Sequence, residues 1–342
     1  MVRRVVLVMA VVLLAACGPD DEATAPVEEV DPTPTDPVPD DDDEAAVPAP
    51  GPAAAWTTLA EAPLALSEVA VAPLGGQVWT AGGFTAEGEA TARVQVLDPT
   101  FESWSDGPDL PEAVHHAALV ATGQALYLVG GYAGSGFDAP TAAVHRLDLA
   151  VGSWVTGPPL PAPRAAGAAA WDGERIVYGG GVGPDGLAGE VFVLDGDEWV
   201  GIGALSQPRE HLAAAGDGQG RTWFLGGRTA GLDTNLGTVD LVEGASITTV
   251  GALPTPRGGV AGFWSAGTGA CVLGGEDPDR TYGEVECIDA EGAVRALPSL
   301  EAPRHGLGAV VVDGIAYAAL GGPEPGLTVS PVVEALRLDG LE

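Results

Sequence analysis

Six glycine pairs, each closing a short apolar run, return at nearly constant intervals: Gly82-Gly83, Gly130-Gly131, Gly179-Gly180, Gly226-Gly227, Gly274-Gly275 and Gly321-Gly322. The intervals are 48, 49, 47, 48 and 47 residues. A period this regular describes one supersecondary unit copied along the chain, each copy burying its faces against its neighbours. With 342 residues the chain has room for one large domain or two ordinary ones, and the repeat decides for one. The 51 Gly and 29 Pro fit many short strands joined by tight turns better than long helices.

A single unit shows how the period becomes a sheet. After the turn signals Gly107-Pro108 and Leu110-Pro111, His115 to Ala121 reads as a first strand. Ala125 to Val129 is apolar almost throughout, as expected of a strand covered on both faces. Gly130-Gly131 ends it where a missing Cβ permits close backbone approach or positive φ. Ala143 to Asp148 is the third strand and Ser153 to Thr156 the fourth, and Gly157 to Arg164 carries the chain onward.

The set Val129-Gly130-Gly131, Leu147-Asp148, Trp154, Leu160-Pro161 and Pro163-Arg164 resembles the kelch repeat in kind, order and spacing, over residues 56–342. The resemblance implies an all-β fold, a six-bladed β-propeller of kelch repeats. It thins in places: Ile247 and Val294 replace the fourth-strand Trp, and Leu66 and Val114 stand where the Arg would be. The last third strand, Val332 to Leu338, has no fourth strand after it, while Trp56-Thr57-Thr58-Leu59 has a fourth-strand pattern with no blade before it. The two ends are therefore expected to close one blade, the N-terminal strand joining the last, which hides the edge an open ring would expose.

The chain ahead of the repeats reads as an export signal and a tether. Arg3 and Arg4 precede an apolar core from Val5 to Ala16 that is too short to span a bilayer. Leu14-Ala15-Ala16-Cys17-Gly18 resembles the lipobox of bacterial lipoproteins, which implies removal of residues 1–16 and lipidation of Cys17. Residues 17–55 then form an acidic, Pro-rich linker with too little apolar content to fold, and the run Asp40 to Glu44 is read as a solvated spacer. The expected location is extracytoplasmic, lipid-anchored to a bacterial membrane; Gly18, rather than Asp, after the Cys favours the outer one.

The formal charge of −34, with every basic residue an Arg, excludes nucleic acid as an expected partner. Cys271 and Cys287, on neighbouring strands of one unit, are expected to form a disulfide. No zinc, phosphate-loop or nucleophile-elbow spacing is present, so no metal or cofactor is expected. The resemblance brings two enzyme classes to weigh. Copper oxidases of galactose need a Tyr, His and Cys set that has no counterpart here, and sialic acid mutarotases share location, length and blade count but no diagnostic motif.

Aligning the repeats where each first strand begins picks out a ring at one mouth of the expected channel. It comprises Ser67 and Glu68; His115 and His116; Arg164; Arg209, Glu210 and His211; Arg257; and Arg304 with His305. Such a ring is suited to an anionic sugar or peptide through Arg forks, or to proton movement between Glu68 or Glu210 and His116 or His211. The favoured expectation is a monomeric binding or scaffolding module for a protein, peptide or glycan, ahead of a carbohydrate-active enzyme such as a sialic acid mutarotase.

Overall fold

The computed structural model describes residues 54–341 apart from Gln124. The expected signal segment 1–16, Cys17 and the linker up to residue 53 lie outside the described residues. Among the described residues the fold is all-β, and no helix is long and apolar enough to cross a membrane.

Six four-stranded antiparallel sheets form the blades of a propeller. Their innermost strands are Ala70–Leu74, Ala118–Ala121, Ala168–Trp171, Ala213–Gly216, Gly258–Ser265 and Gly308–Val312. Each inner strand packs against the next, and the sixth against the first. Because both faces of every blade meet a neighbour, second strands such as Ile176–Gly179 are buried at every position. The apolar core is accordingly divided into six clusters, one per blade interface.

The ring closes as the sequence leads one to expect. Thr57 and Thr58 pair with Ala335 and Glu334, so the first strand completes the sixth blade. Trp56 beside them is buried, and its indole N–H donates to the Pro298 carbonyl at the edge of blade five, 2.8 Å away. Trp154 and Trp199 repeat this clasp on Pro108 and Pro158 of their preceding blades. Cys271 and Cys287 face each other directly across two strands of blade five and are disulfide-bonded.

The glycine pairs stitch blade to blade. The second glycine of each pair donates its N–H to the backbone carbonyl just ahead of the following blade, for example Gly83 to Val114 and Gly131 to Arg164, both 2.8 Å. Gly321 does the same to Leu66, which makes these bonds a closed ring. Gly82 and Gly83 hold φ of 66° and 98°, and a Cβ on either would lie 2.6 Å from a carbonyl oxygen. Two blades depart from the pairs seen in sequence. The residues with this geometry are Gly180-Gly181 in blade three, and Leu320-Gly321 in blade six, with φ of 64° and 99° for the last pair. The triplet Gly179 to Gly181 and the pair Gly321-Gly322 each conceal a one-residue shift that spacing cannot resolve.

Candidate functional site

One residue per blade, near the start of its inner strand, turns into the left-handed region. The six are Glu68, His116, Ala166, His211, Gly259 and Gly306, with φ of 51°, 56°, 54°, 52°, 71° and 55°. They hold one another around the axis: His116 N–H donates to Glu68 O, Ala166 to His116, His211 to Ala166, Gly259 to His211 and Gly306 to Gly259, at 2.8–3.1 Å. Val69 N–H completes the circle on Gly306 O at 3.4 Å. The left-handed turn costs roughly 1–2 kcal/mol for a residue with a Cβ. Three of the four non-glycine members are ionisable, the association of strain with working residues seen at functional sites.

This ring brings polar side chains together at one mouth of the channel. Glu68 touches His116 Nε2 through Oε2 at 3.2 Å and His305 Nδ1 through Oε1 at 3.3 Å. His116 Nε2 lies 2.9 Å from His211 Nε2. His211 Nδ1 faces Glu210 Oε1 at 3.3 Å, and the same oxygen accepts from Arg228 Nε at 3.2 Å. Arg228 Nη1 donates to Glu276 Oε1 at 2.9 Å. These groups line a cavity of about 260 Å³ whose other walls are Tyr132, Phe137, Leu232 and Leu327. That is just below the usual range of small-molecule sites.

Burial sets the protonation states. Burial, opposed by Glu68 and reinforced by His211 and His115, pushes His116 down to about 3, so its imidazole is neutral. Burial alone would raise the Glu68 carboxyl, but the imidazoles of His116, His305 and His211 outweigh it and hold Glu68 well below its ordinary value. Burial would likewise raise Glu210, and His211 and Arg228 reverse that. His305 moves up: burial opposes its charge, and contact with Glu68 and the field of Glu276 prevail.

The consequence for stability has a definite sign. Below the unfolded value of about 6.5 the unfolded chain protonates the imidazole that native His116 keeps neutral, so stability falls on acidification down to about pH 3. The lowered Glu68 and Glu210 act in the same sense below about pH 4.5, whereas the raised His305 contributes stability that is lost as pH rises through its native value. The melting temperature is expected to fall between about pH 7 and pH 4, with a shallower slope in His116→Asn. An equal slope in the variant contradicts the neutral, buried imidazole.

Of the ring residues picked from sequence, Glu68, His115, His116, Glu210, His211 and His305 converge here. The four arginines do not, and the anion-binding forks expected of them are not formed. Arg209, Arg257 and Arg304 turn into their own blades, where Asp240, Glu286 and Glu334 on the third strands pair with them. Arg164 pairs with Glu190 of its own blade. The reason for the first three is that the guanidinium also satisfies strand carbonyls, as Arg209 does Phe224 O, Arg257 does Val272 O and Arg304 does Ala318 O. Where the Arg is missing the acid is missing too: Leu66 accompanies Gln95 and Val114 accompanies His145.

Sequence reasoning overlooked Arg228, Glu276 and Tyr132. Each is the residue directly after a glycine pair, bridged to the residue just before a turning residue: Glu210 to Arg228, Gly258 to Glu276, His115 to Tyr132. The signal was the position after the pair, which in the other blades holds Phe84, Val182 and Gly322.

Comparison with known proteins agrees with this architecture. The kelch motif matches residues 65–111 and 113–161, the first two blades. The chain is 27% identical over 298 residues to the Kelch-like protein terF of Aspergillus terreus, covering 82% of this chain and 55% of that one. It is 36% identical over 76 residues to Kelch-like protein 35 of Mus musculus, 22% of this chain and 13% of the relative. The chain thus spans about half the length of the first relative and a small part of the second. The solved structure of YjhT superposes with a TM-score of 0.66 at 14% identity, over 81% of this chain and 96% of that one, a likeness of fold.

Proposed function

We propose that the chain is an extracytoplasmic, lipid-anchored binding module whose axial cavity takes the end of a neutral or cationic glycan. The observation that supports this reading is an acidic floor beneath an apolar rim. Glu68, Glu210 and Glu276 face Arg228 and His305, so carboxylates outnumber the cations around the cavity. In a chain of formal charge −34 such a floor repels anions and offers acceptors to hydroxyl or ammonium donors. The half-exposed Phe137, 5.6 Å from Tyr132 between ring centroids, provides the flat apolar surface on which a sugar ring packs.

Neutral and amino sugars tested by calorimetry are expected to bind, with affinity reduced about 10-fold or more in Phe137→Ala and in Glu276→Gln. Binding only of anionic sugars, or affinity unchanged in both variants, overturns the reading. The tether is tested separately: labelled palmitate incorporated into the wild type is expected to be absent from Cys17→Ser.

A second reading, a carbohydrate-active enzyme, is favoured by the Glu68–His116 and Glu210–His211 contacts, which place acid and base groups together. A sialic acid anomerase fits less well, because the carboxylate of its substrate would meet three carboxylates and one already paired Arg228. Accelerated anomer equilibration of sialic acid, followed by NMR and lost in Glu210→Gln, would reverse the ranking.

A further inference from the structure

We propose that Glu68, His116 and His211 hold a divalent transition-metal ion on the propeller axis. One ligand atom from each, a carboxylate oxygen and two imidazole nitrogens, lies within 4.8 Å of the others. All three belong to the ring of left-handed residues, so their placement is fixed by the backbone of blades one, two and four.

The tautomers make the case. The Gly136 carbonyl can only accept, so His115 Nε2, 3.1 Å away, carries a proton and leaves His115 Nδ1 as a lone pair. That lone pair contacts His116 Nδ1, which must then be the protonated nitrogen of its ring. His116 Nε2 is left unprotonated. On the other side, the tautomer of His211 with its proton on Nδ1, 3.3 Å from Glu210 Oε1, presents Nε2 to His116 as a lone pair. In that tautomer two nitrogen lone pairs 2.9 Å apart meet a carboxylate oxygen 3.2 Å from one of them. Acceptors so crowded repel one another, and a cation shared between them removes the conflict.

Two of the three ligand separations are those expected around such an ion, and the third lies within 4.8 Å. With metal–ligand bonds of about 2.0–2.1 Å, separations of 2.9 and 3.2 Å correspond to angles of about 90° and 100° at the metal. Two imidazoles and one carboxylate are the donor set of open zinc and non-haem iron sites. The groups behind them, Gly136 O through His115 and Glu210, are the outer partners that orient metal-bound histidines. The cavity of about 260 Å³ borders all three ligands, so the remaining positions on the ion are open to it. This inference stands on its own titration, and the charge balance given for the glycan reading is that of the metal-free cavity.

The test uses the full chain, freed of metal by chelator dialysis and titrated with Zn²⁺ alone. The proposal expects one saturable site, weakened at least about 100-fold in His116→Ala and His211→Ala, about 10–100-fold in His115→Ala, and unchanged in His145→Ala. Ions held loosely by the run Asp40 to Glu44 persist in every variant and cancel in the comparison. Should the alanine variants unfold, Glu68→Gln provides a conservative replacement, and Co²⁺ added to the wild type is expected to give the visible bands of a nitrogen-ligated ion. Absence of a saturable site, affinity that survives His116→Ala and His211→Ala in folded protein, or Co²⁺ spectra of the hydrated ion overturns it.

Discussion

Replacing Trp56 by Ala is expected to lower the melting temperature by roughly 6–10 °C, more than most single changes in the apolar core. The side chain is 2% exposed and packs with Phe263, Leu307 and Leu336 between blades five and six. Truncating a buried Trp costs about 3–5 kcal/mol. At about 2 °C per kcal/mol, the lower end for large domains, that gives the stated shift. The position matters as much as the area. The closing strand is held in its sheet by two residue pairs, Thr57 with Ala335 and Thr58 with Glu334, and by the Leu59 N–H donating to Val333 O, and the indole bond to Pro298 clasps the last blade to its neighbour. Deleting residues 56–60 is expected to cost more still, because it also bares the edge of Val333–Arg337. Differential scanning fluorimetry reads both. A shift under about 2 °C in the deletion contradicts closure by the chain ends.

Arg209→Ala and Asp240→Ala should each destabilise the protein by about 3–5 kcal/mol, while the double replacement Arg209→Met with Asp240→Leu recovers most of the loss. Both side chains of this pair are fully buried. Asp240 accepts from Arg209, from the Ser206 amide and hydroxyl, and from Thr249, so neither charge is stranded as long as the set is complete. Removing one partner leaves a charge with no solvent, and removing both leaves an apolar gap that packing can fill. Blade one already carries a neutral version. There Gln95 accepts from the Leu64 amide at 2.8 Å and donates to its carbonyl at 3.1 Å, with Leu66 in place of Arg. Chemical denaturation of the single and double variants decides the matter. A double variant as unstable as the sum of the singles contradicts a closed, blade-local pair.

The fold was legible because the repeat is written in residues with one structural use each. Glycine pairs sit where a Cβ would strike a carbonyl, and Trp154 and Trp199 sit where an indole reaches the preceding blade. Closure was legible from the unmatched Trp56 strand. The site was half legible. Alignment found the histidines and Glu68 because each is the turning residue before an inner strand, or its neighbour. It could not tell that the arginines two residues upstream of the turning residues point the other way, since that direction is set by carboxylates on the third strands. Arg228 and Glu276 were missed because they enter the site by pairing across a bridge far apart in sequence. The triad of Glu68, His116 and His211 has no sequence spacing at all, since it is assembled from three blades by the ring.

The central claim is that the axial cavity at the mouth with the left-handed ring is the functional site. Histidine imidazole NMR tests it directly, because three of the five histidines line that cavity, His115 packs against one of them and His145 lies on the third strand of blade two. With a glycan or metal ion shown to bind by calorimetry, the account predicts that the ring signals of His116, His211 and His305 shift saturably while His145 stays in place. Binding that leaves these three signals unmoved, or that moves His145 alone, contradicts it.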